Sequence, residues 1–109
     1  MNASEARELM NESTTMKACE RIAEKFFEVF DNYLKQLARD GKSCMLISDW
    51  NTGNETENTL STCLYNAEKI NPDAKWFMVR DIIRKELEGK GFIVKVAHNG
   101  VTHTRISWA

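Results

Sequence analysis

The chain has 109 residues, 42% apolar and 28% charged, which is enough for one ordinary domain over residues 1–109 and too little for a second core. This composition excludes disorder, collagen-like repeats and a small disulfide scaffold. The chain has 15 basic and 16 acidic residues, so its formal charge is -1. This near-neutral charge disfavours nucleic acid and acidic membranes as partners.

The N-terminal segment and the cysteines bear on compartment. Met1–Glu8 is polar where a signal peptide needs an apolar stretch, and no run approaches the ~18 apolar residues of a membrane span. Cys19, Cys44 and Cys63 have neither CxxC spacing nor a nearby pair of histidines, which argues against a zinc site or disulfides. We therefore predict a cytoplasmic protein whose cysteines are reduced and pack as small apolar residues.

A long amphipathic helix is predicted over residues 1–41. Asn2 can cap its start with Glu5 as the capping-box partner, and Gly41 can end it in a left-handed conformation. Its apolar residues recur every three or four positions for five turns, which is typical of one buried helix face. These residues are Cys19, Ile22, Ala23, Phe26, Phe27, Phe30, Tyr33, Leu34 and Leu37.

The predicted helix is longer than a compact domain of this size, so its N-terminal part cannot be covered by its own domain. A continuous helix from Ala3 to Asp40 would span about 57 Å, whereas a compact domain of this size has a diameter of about 34 Å. Asn11–Thr15 is a poor helix interior, so a kink or second helix start is expected there unless the N-terminal part projects and packs against another copy.

The middle of the chain predicts one strand and two helices. Ser43–Ser48 is a short apolar run that we interpret as a central strand, followed by a polar loop over Asp49–Thr59. Apolar spacing over Leu60–Ile70 indicates a short helix. Asn71 and Pro72 then suit the cap and first residue of another helix, which Gly89 would end.

The C-terminal part, Phe92–Trp108, predicts a β-hairpin around the Asn99-Gly100 turn. A two-residue turn would set Val96 directly opposite His103 and mix apolar and charged side chains on both faces. A three-residue loop with Gly100 left-handed segregates the faces better, so we predict that register. The fold class is then α+β, with a three-stranded sheet and the order α-β-α-α-β-β.

Candidate ligand-binding residues lie at one strand end and on the hairpin. Asp49 and Trp50 follow the first strand, where functional groups often stand in α/β sheets. Lys95, His103 and Arg105 share one hairpin face in the preferred register and could meet phosphate or an acidic partner. A solvated polar loop and a mixed solvated face are the alternative interpretations.

No motif predicts catalysis or a metal. Gly41-Lys42-Ser43 resembles part of a phosphate-binding loop, but it passes from helix to strand where that loop passes from strand to helix. Neither histidine is tied to a nucleophile by spacing, and Glu55 and Glu57 fit no metal loop. We expect no enzyme, no catalytic residues, no cofactor and no metal.

With the elements placed, the two ends of the chain resemble small α/β accessory or structural proteins of tailed bacteriophages. The residues that carry the resemblance are Ala3–Leu9, Gly41-Lys42-Ser43, Gly89–Phe92 and Ile106-Ser107-Trp108. Most such proteins have no assigned activity. The resemblance implies a phage or prophage origin, and with it a virion component, a host-takeover factor or a counter-defence protein in the host cytoplasm or the virion.

The first functional hypothesis is a non-enzymatic interaction protein that assembles with itself through the long helix and with phage or host proteins. Its predicted interface consists of Leu9, Met10, Met16, Phe26, Phe27 and Phe30. The alternatives are a protein that binds or sequesters a small ligand, such as a nucleotide signal, and a nucleic-acid binder, which the net charge disfavours.

Overall fold

Two helices open the chain. The computed structural model describes residues 1–50, 53–98 and 100–109, and in it α1 spans Ala3–Glu12 and α2 spans Thr14–Arg39. Ser13 separates them in extended backbone and caps α2, because its hydroxyl accepts a hydrogen bond of 3.0 Å from the Met16 amide. The break expected between residues 11 and 15 is confirmed, so residues 1–41 form two helices instead of one.

After α2 come one strand, two helices and a C-terminal β-hairpin, and the predicted α+β class is confirmed. In chain order the elements are β1 (Cys44–Ser48), α3 (Glu55–Tyr65), a 3-10 turn (Ala67–Lys69), α4 (Trp76–Gly89), β2 (Ile93–His98) and β3 (Thr102–Ser107).

The three strands form one antiparallel sheet in the order β1-β3-β2. The prediction that the first strand is central is wrong: β1 is an edge strand, and β3 lies between it and β2. In the hairpin Val96 pairs with Thr104, and Gly100 has a φ of 79°. The predicted three-residue loop is therefore confirmed, although Asn99 lies outside the described residues.

Helices α2, α3 and α4 cover one face of the sheet and enclose the core. The sheet contributes alternate residues to it, as a strand with one buried face must. The largest fully buried side chains are Phe26, Phe30, Ile47, Leu60, Leu64, Ile83, Leu87 and Ile106. The opposite face of the sheet is turned to solvent.

Helix α3 begins earlier than predicted. Asn54 caps it by accepting a hydrogen bond from the Glu57 amide at 3.0 Å, so the second half of the expected loop is helical. Its end is also earlier, because a 3-10 turn follows Tyr65 and leaves Ile70 exposed.

Helix α4 begins later than predicted and continues through Gly89. Asn71 caps a tight turn, accepting from the Asp73 amide at 3.0 Å, and the helix starts only at Trp76. At the other end Gly91, with a φ of 91°, is the left-handed residue, and the Phe92 amide donates to the Leu87 carbonyl. The prediction that Asn71 caps this helix is wrong because Asn71 caps the preceding turn. The prediction that Gly89 ends the helix is wrong because the left-handed residue is Gly91.

Candidate functional site

The solvent side of the sheet collects four of the five predicted ligand-binding residues. Lys95, His103 and Arg105 point there by strand alternation, and Trp50, two residues beyond the end of β1, continues the same alternation. We call this surface the outer sheet face. Its members are Cys44, Leu46, Ser48, Trp50, Ile93, Lys95, Ala97, His103, Arg105 and Ser107.

Two cations stand side by side at the centre of this face. Arg105 pairs across the strands with Lys95 on one side and with Leu46 on the other, and both cations are exposed. Within the part of the chain that the structure describes, neither lies within ion-pair distance of a carboxylate. Like charges directly opposite each other destabilise a sheet, so packing does not explain this pair.

An aromatic pair lies beside the cations. The Trp50 indole meets the His103 ring edge to face, with 6.3 Å between the ring centres and 87° between the planes. Ser48 Oγ and His103 Nδ1 form a hydrogen bond of 2.7 Å, which holds the imidazole in place. Trp50 remains 56% exposed, so an aromatic surface is available to solvent beside the imidazole.

Sequence reasoning missed Leu46 on the outer sheet face, whereas the three-residue hairpin loop already puts Ile93 on the same face as Lys95. Leu46 is 55% exposed and Ile93 is 52% exposed, and both flank the two cations. The alternation of β1 around Met45 and Ile47 is the signal that could have placed Leu46 outward.

Asp49 does not join the other predicted residues. The same alternation turns it towards α3, where its Oδ1 accepts a hydrogen bond of 3.2 Å from Asn66 Nδ2. It lines a polar cleft of about 410 Å³ between the end of β1 and α3, together with Asn58, Ser61, Thr62, Asn66, Lys69 and Trp50. Trp50 thus stands at the border between this cleft and the outer sheet face.

The predicted oligomer interface divides into buried and exposed residues. Phe26 and Phe30 are fully buried under α3, α4 and Phe92, so the expectation that they remain available to another copy is wrong. Phe27 is half-buried, with Lys90 Nζ 4.9 Å above its ring. Leu9 and Met10 are 56% and 48% exposed, and Met16 is intermediate.

Buried polar groups elsewhere serve the fold. The Tyr65 hydroxyl donates to the Ile47 carbonyl and also meets Thr104 Oγ1, which ties α3 to β1 and β3. Burial raises the pKa of this hydroxyl. The Tyr33 hydroxyl donates to Glu57 Oε1 at 2.8 Å, and burial, this hydrogen bond and the carboxylate charge together raise the pKa of Tyr33 to about 12.

The cysteines are free, and Cys19 and Cys63 are buried as predicted, whereas the same prediction for Cys44 is wrong because strand alternation puts it on the outer sheet face. Cys19 and Cys63 have no exposed surface, and Cys44 is partly buried on the outer sheet face. Burial raises the pKa of the Cys63 thiol to about 11. Among the described residues, no group of three or more His, Cys, Asp and Glu side chains could hold a metal ion.

Comparison with known proteins found no matching protein family, curated protein or solved structure. Within the described residues, none of the helices combines the length and the apolar character that crossing a membrane requires.

Proposed function

We propose that the protein is a non-enzymatic interaction module that assembles with a second copy of itself through α1. The observation that carries the proposal is the exposure of this helix: every side chain from Ala3 to Met10 is exposed. The molecule measures 51 × 28 × 26 Å, which is longer than the roughly 39 Å that α2 spans at 1.5 Å per residue. The buried core begins at Ala18 in α2 and includes no described side chain of α1.

A helix of ten residues without a packing partner is marginal in water. Helix α1 has an apolar stripe that a partner would cover, formed by Ala3, Ala6, Leu9 and Met10 at helical spacing. The small residues lie at its N-terminal end and the large ones at its C-terminal end. Two copies packed antiparallel would set large residues against small ones, which is the self-complementarity that a twofold interface requires.

Light scattering at micromolar concentration tests this assembly. We expect a mass of at least twice 12.6 kDa for the native chain and the monomer mass for the variant L9E/M10E, because the two carboxylates would be buried in the interface. The matched control is L46E/I93E, which changes two equally exposed apolar residues on the outer sheet face. It should keep the larger mass.

A monomeric native chain would contradict the proposal. A monomer in the L46E/I93E variant, with L9E/M10E still assembled, would move the interface from α1 to the sheet. The resemblance of both chain ends to tailed-phage proteins supports a virion or accessory role for such an assembly.

A further inference from the structure

We propose that the outer sheet face binds single-stranded nucleic acid. This inference is independent of assembly through α1. It rests on one juxtaposition: an exposed indole and a hydrogen-bonded imidazole next to two exposed cations, on a sheet face that none of the described helices covers.

The charge of this face differs from that of the whole chain. The three strands contain Lys95 and Arg105 and no aspartate or glutamate, whereas the chain as a whole has a net charge of -1. The carboxylates are therefore confined to helices and loops, and Asp49, which lies next to the face, turns away to Asn66. The net charge of the chain does not reveal this local separation of charges. For that reason the net charge alone disfavours nucleic acid as a partner, although the outer sheet face is basic.

The arrangement matches the two needs of single-strand recognition. A base can stack on the exposed indole of Trp50, while Arg105 and Lys95 meet the phosphates that follow. His103 and Arg105 lie two residues apart on β3, about 6.6 Å along the strand, and three strands make a face about 10 Å wide. One extended strand fits this space, and its unpaired bases are free to stack.

Other occupants fit the face less well. In a face-to-face dimer, the paired cations of one copy would meet those of the other, which costs free energy. A double helix offers phosphates but keeps its bases stacked away from Trp50. An acidic protein would satisfy Lys95 and Arg105 and leave the indole unused. A free mononucleotide shares the chemistry of base and phosphate, so the test must include it.

Fluorescence anisotropy with a labelled oligothymidylate of about 12 nucleotides, a length typical of single-strand sites, gives the first measurement. We expect saturable binding that the variant K95E/R105E weakens about tenfold or more, with the salt dependence reduced by a slope of about 1.4. The control K17E/R21E makes the same charge change on exposed residues of α2 and should alter affinity less than about twofold.

Stacking is measured separately through tryptophan fluorescence. In the variant W76F/W108F only Trp50 remains, and the oligothymidylate should quench it. Trp50→Ala should weaken binding about tenfold. Circular dichroism checks that each variant is folded, and K95Q/R105Q replaces the charge reversal if that variant unfolds.

Five outcomes would overturn the proposal, four of them with polymers and one with a mononucleotide. The first four are no binding, equal weakening by K17E/R21E, no quenching of Trp50, and binding of duplex DNA or polyglutamate as tight as that of the single strand. A mononucleotide that binds as tightly as the oligomer would assign the face to a small ligand and also overturn it. Retained binding in the L9E/M10E variant would separate this site from assembly through α1.

Discussion

At the scale of single residues, Cys19 shows how a thiol that is neither catalytic nor metal-binding can organise the fold. Its Sγ accepts a hydrogen bond from the Lys75 amide at 3.4 Å and lies 3.7 Å from the Lys75 carbonyl. Lys75 immediately precedes α4 and has no side-chain cap. The sulfur from α2 thus accepts from the amide that a glutamate at the third helical position would satisfy in a capping box, although it lies 56 residues away in sequence.

The buried thiol of Cys63 should lower the free energy of unfolding in alkaline solution. Its pKa rises from 9.0 to about 11 on burial, so the folded state retains a proton that the unfolded state releases. The contribution to stability is complete below pH 9 and is lost as the pH rises through 11. Urea unfolding of Cys63→Ala should show a flatter decline over this range than the native chain.

Cys44→Ala is the matched control, because Cys44 is only partly buried. It should leave the alkaline decline unchanged. Tyr33, with a pKa of about 12, adds its own decline between pH 10 and 12 in all three proteins. An alkaline decline that is the same in Cys63→Ala and the native chain would show that the thiol is not responsible.

At the scale of elements, two glycines differ in whether their backbone conformation is one that other residues resist. Gly100 has a φ of 79° in the hairpin loop, whereas Gly89 lies in α4 with an ordinary helical φ. A methyl group added at either position would meet no atom within 4 Å. Substitution at the two sites therefore differs in backbone strain and not in crowding.

Opposite effects are expected for alanine at these two glycines. Gly100→Ala should lower the free energy of unfolding by about 1 kcal/mol, since alanine resists positive φ. Gly89→Ala should raise it by about 0.5 kcal/mol, because it reduces the entropy of the unfolded chain and suits a helix. Urea denaturation measures both. Destabilisation by both substitutions to the same degree would contradict the role assigned to backbone conformation.

At the scale of the whole molecule, local patterns predicted the elements, and the long-range arrangement had to come from the structure. The hairpin register follows from face segregation and Gly100, both visible within 17 residues of sequence. That β3 is central does not follow, because nothing within β1 says which strand it will join. Likewise Asn71-Pro72 suits a helix start, but Cys19 and Glu68 satisfy the amides of Lys75 and Trp76 and move the start.

In the candidate site, too, local patterns predicted some residues and long-range pairing placed the others. Lys95, His103 and Arg105 were placed together because they belong to one hairpin, whose geometry is local. Trp50 reached the same face only because β1 pairs with β3, and Asp49 left it because alternation continues past the last residue of β1. Predicting the site in full would have required the pairing of segments about 60 residues apart.

The edge position of β1 has a consequence for the order of folding. Cys44 pairs with Ser107 across most of the chain, whereas the hairpin closes a three-residue loop, so the hairpin can form early and β1 must wait for a much larger closure. The half of the outer sheet face that carries Ser48 and Trp50 is then the last to dock and the first to open. Native-state hydrogen exchange should therefore be faster at the amides of β1 than at those of β3 bonded to β2, and a bound oligonucleotide should slow it first at β1.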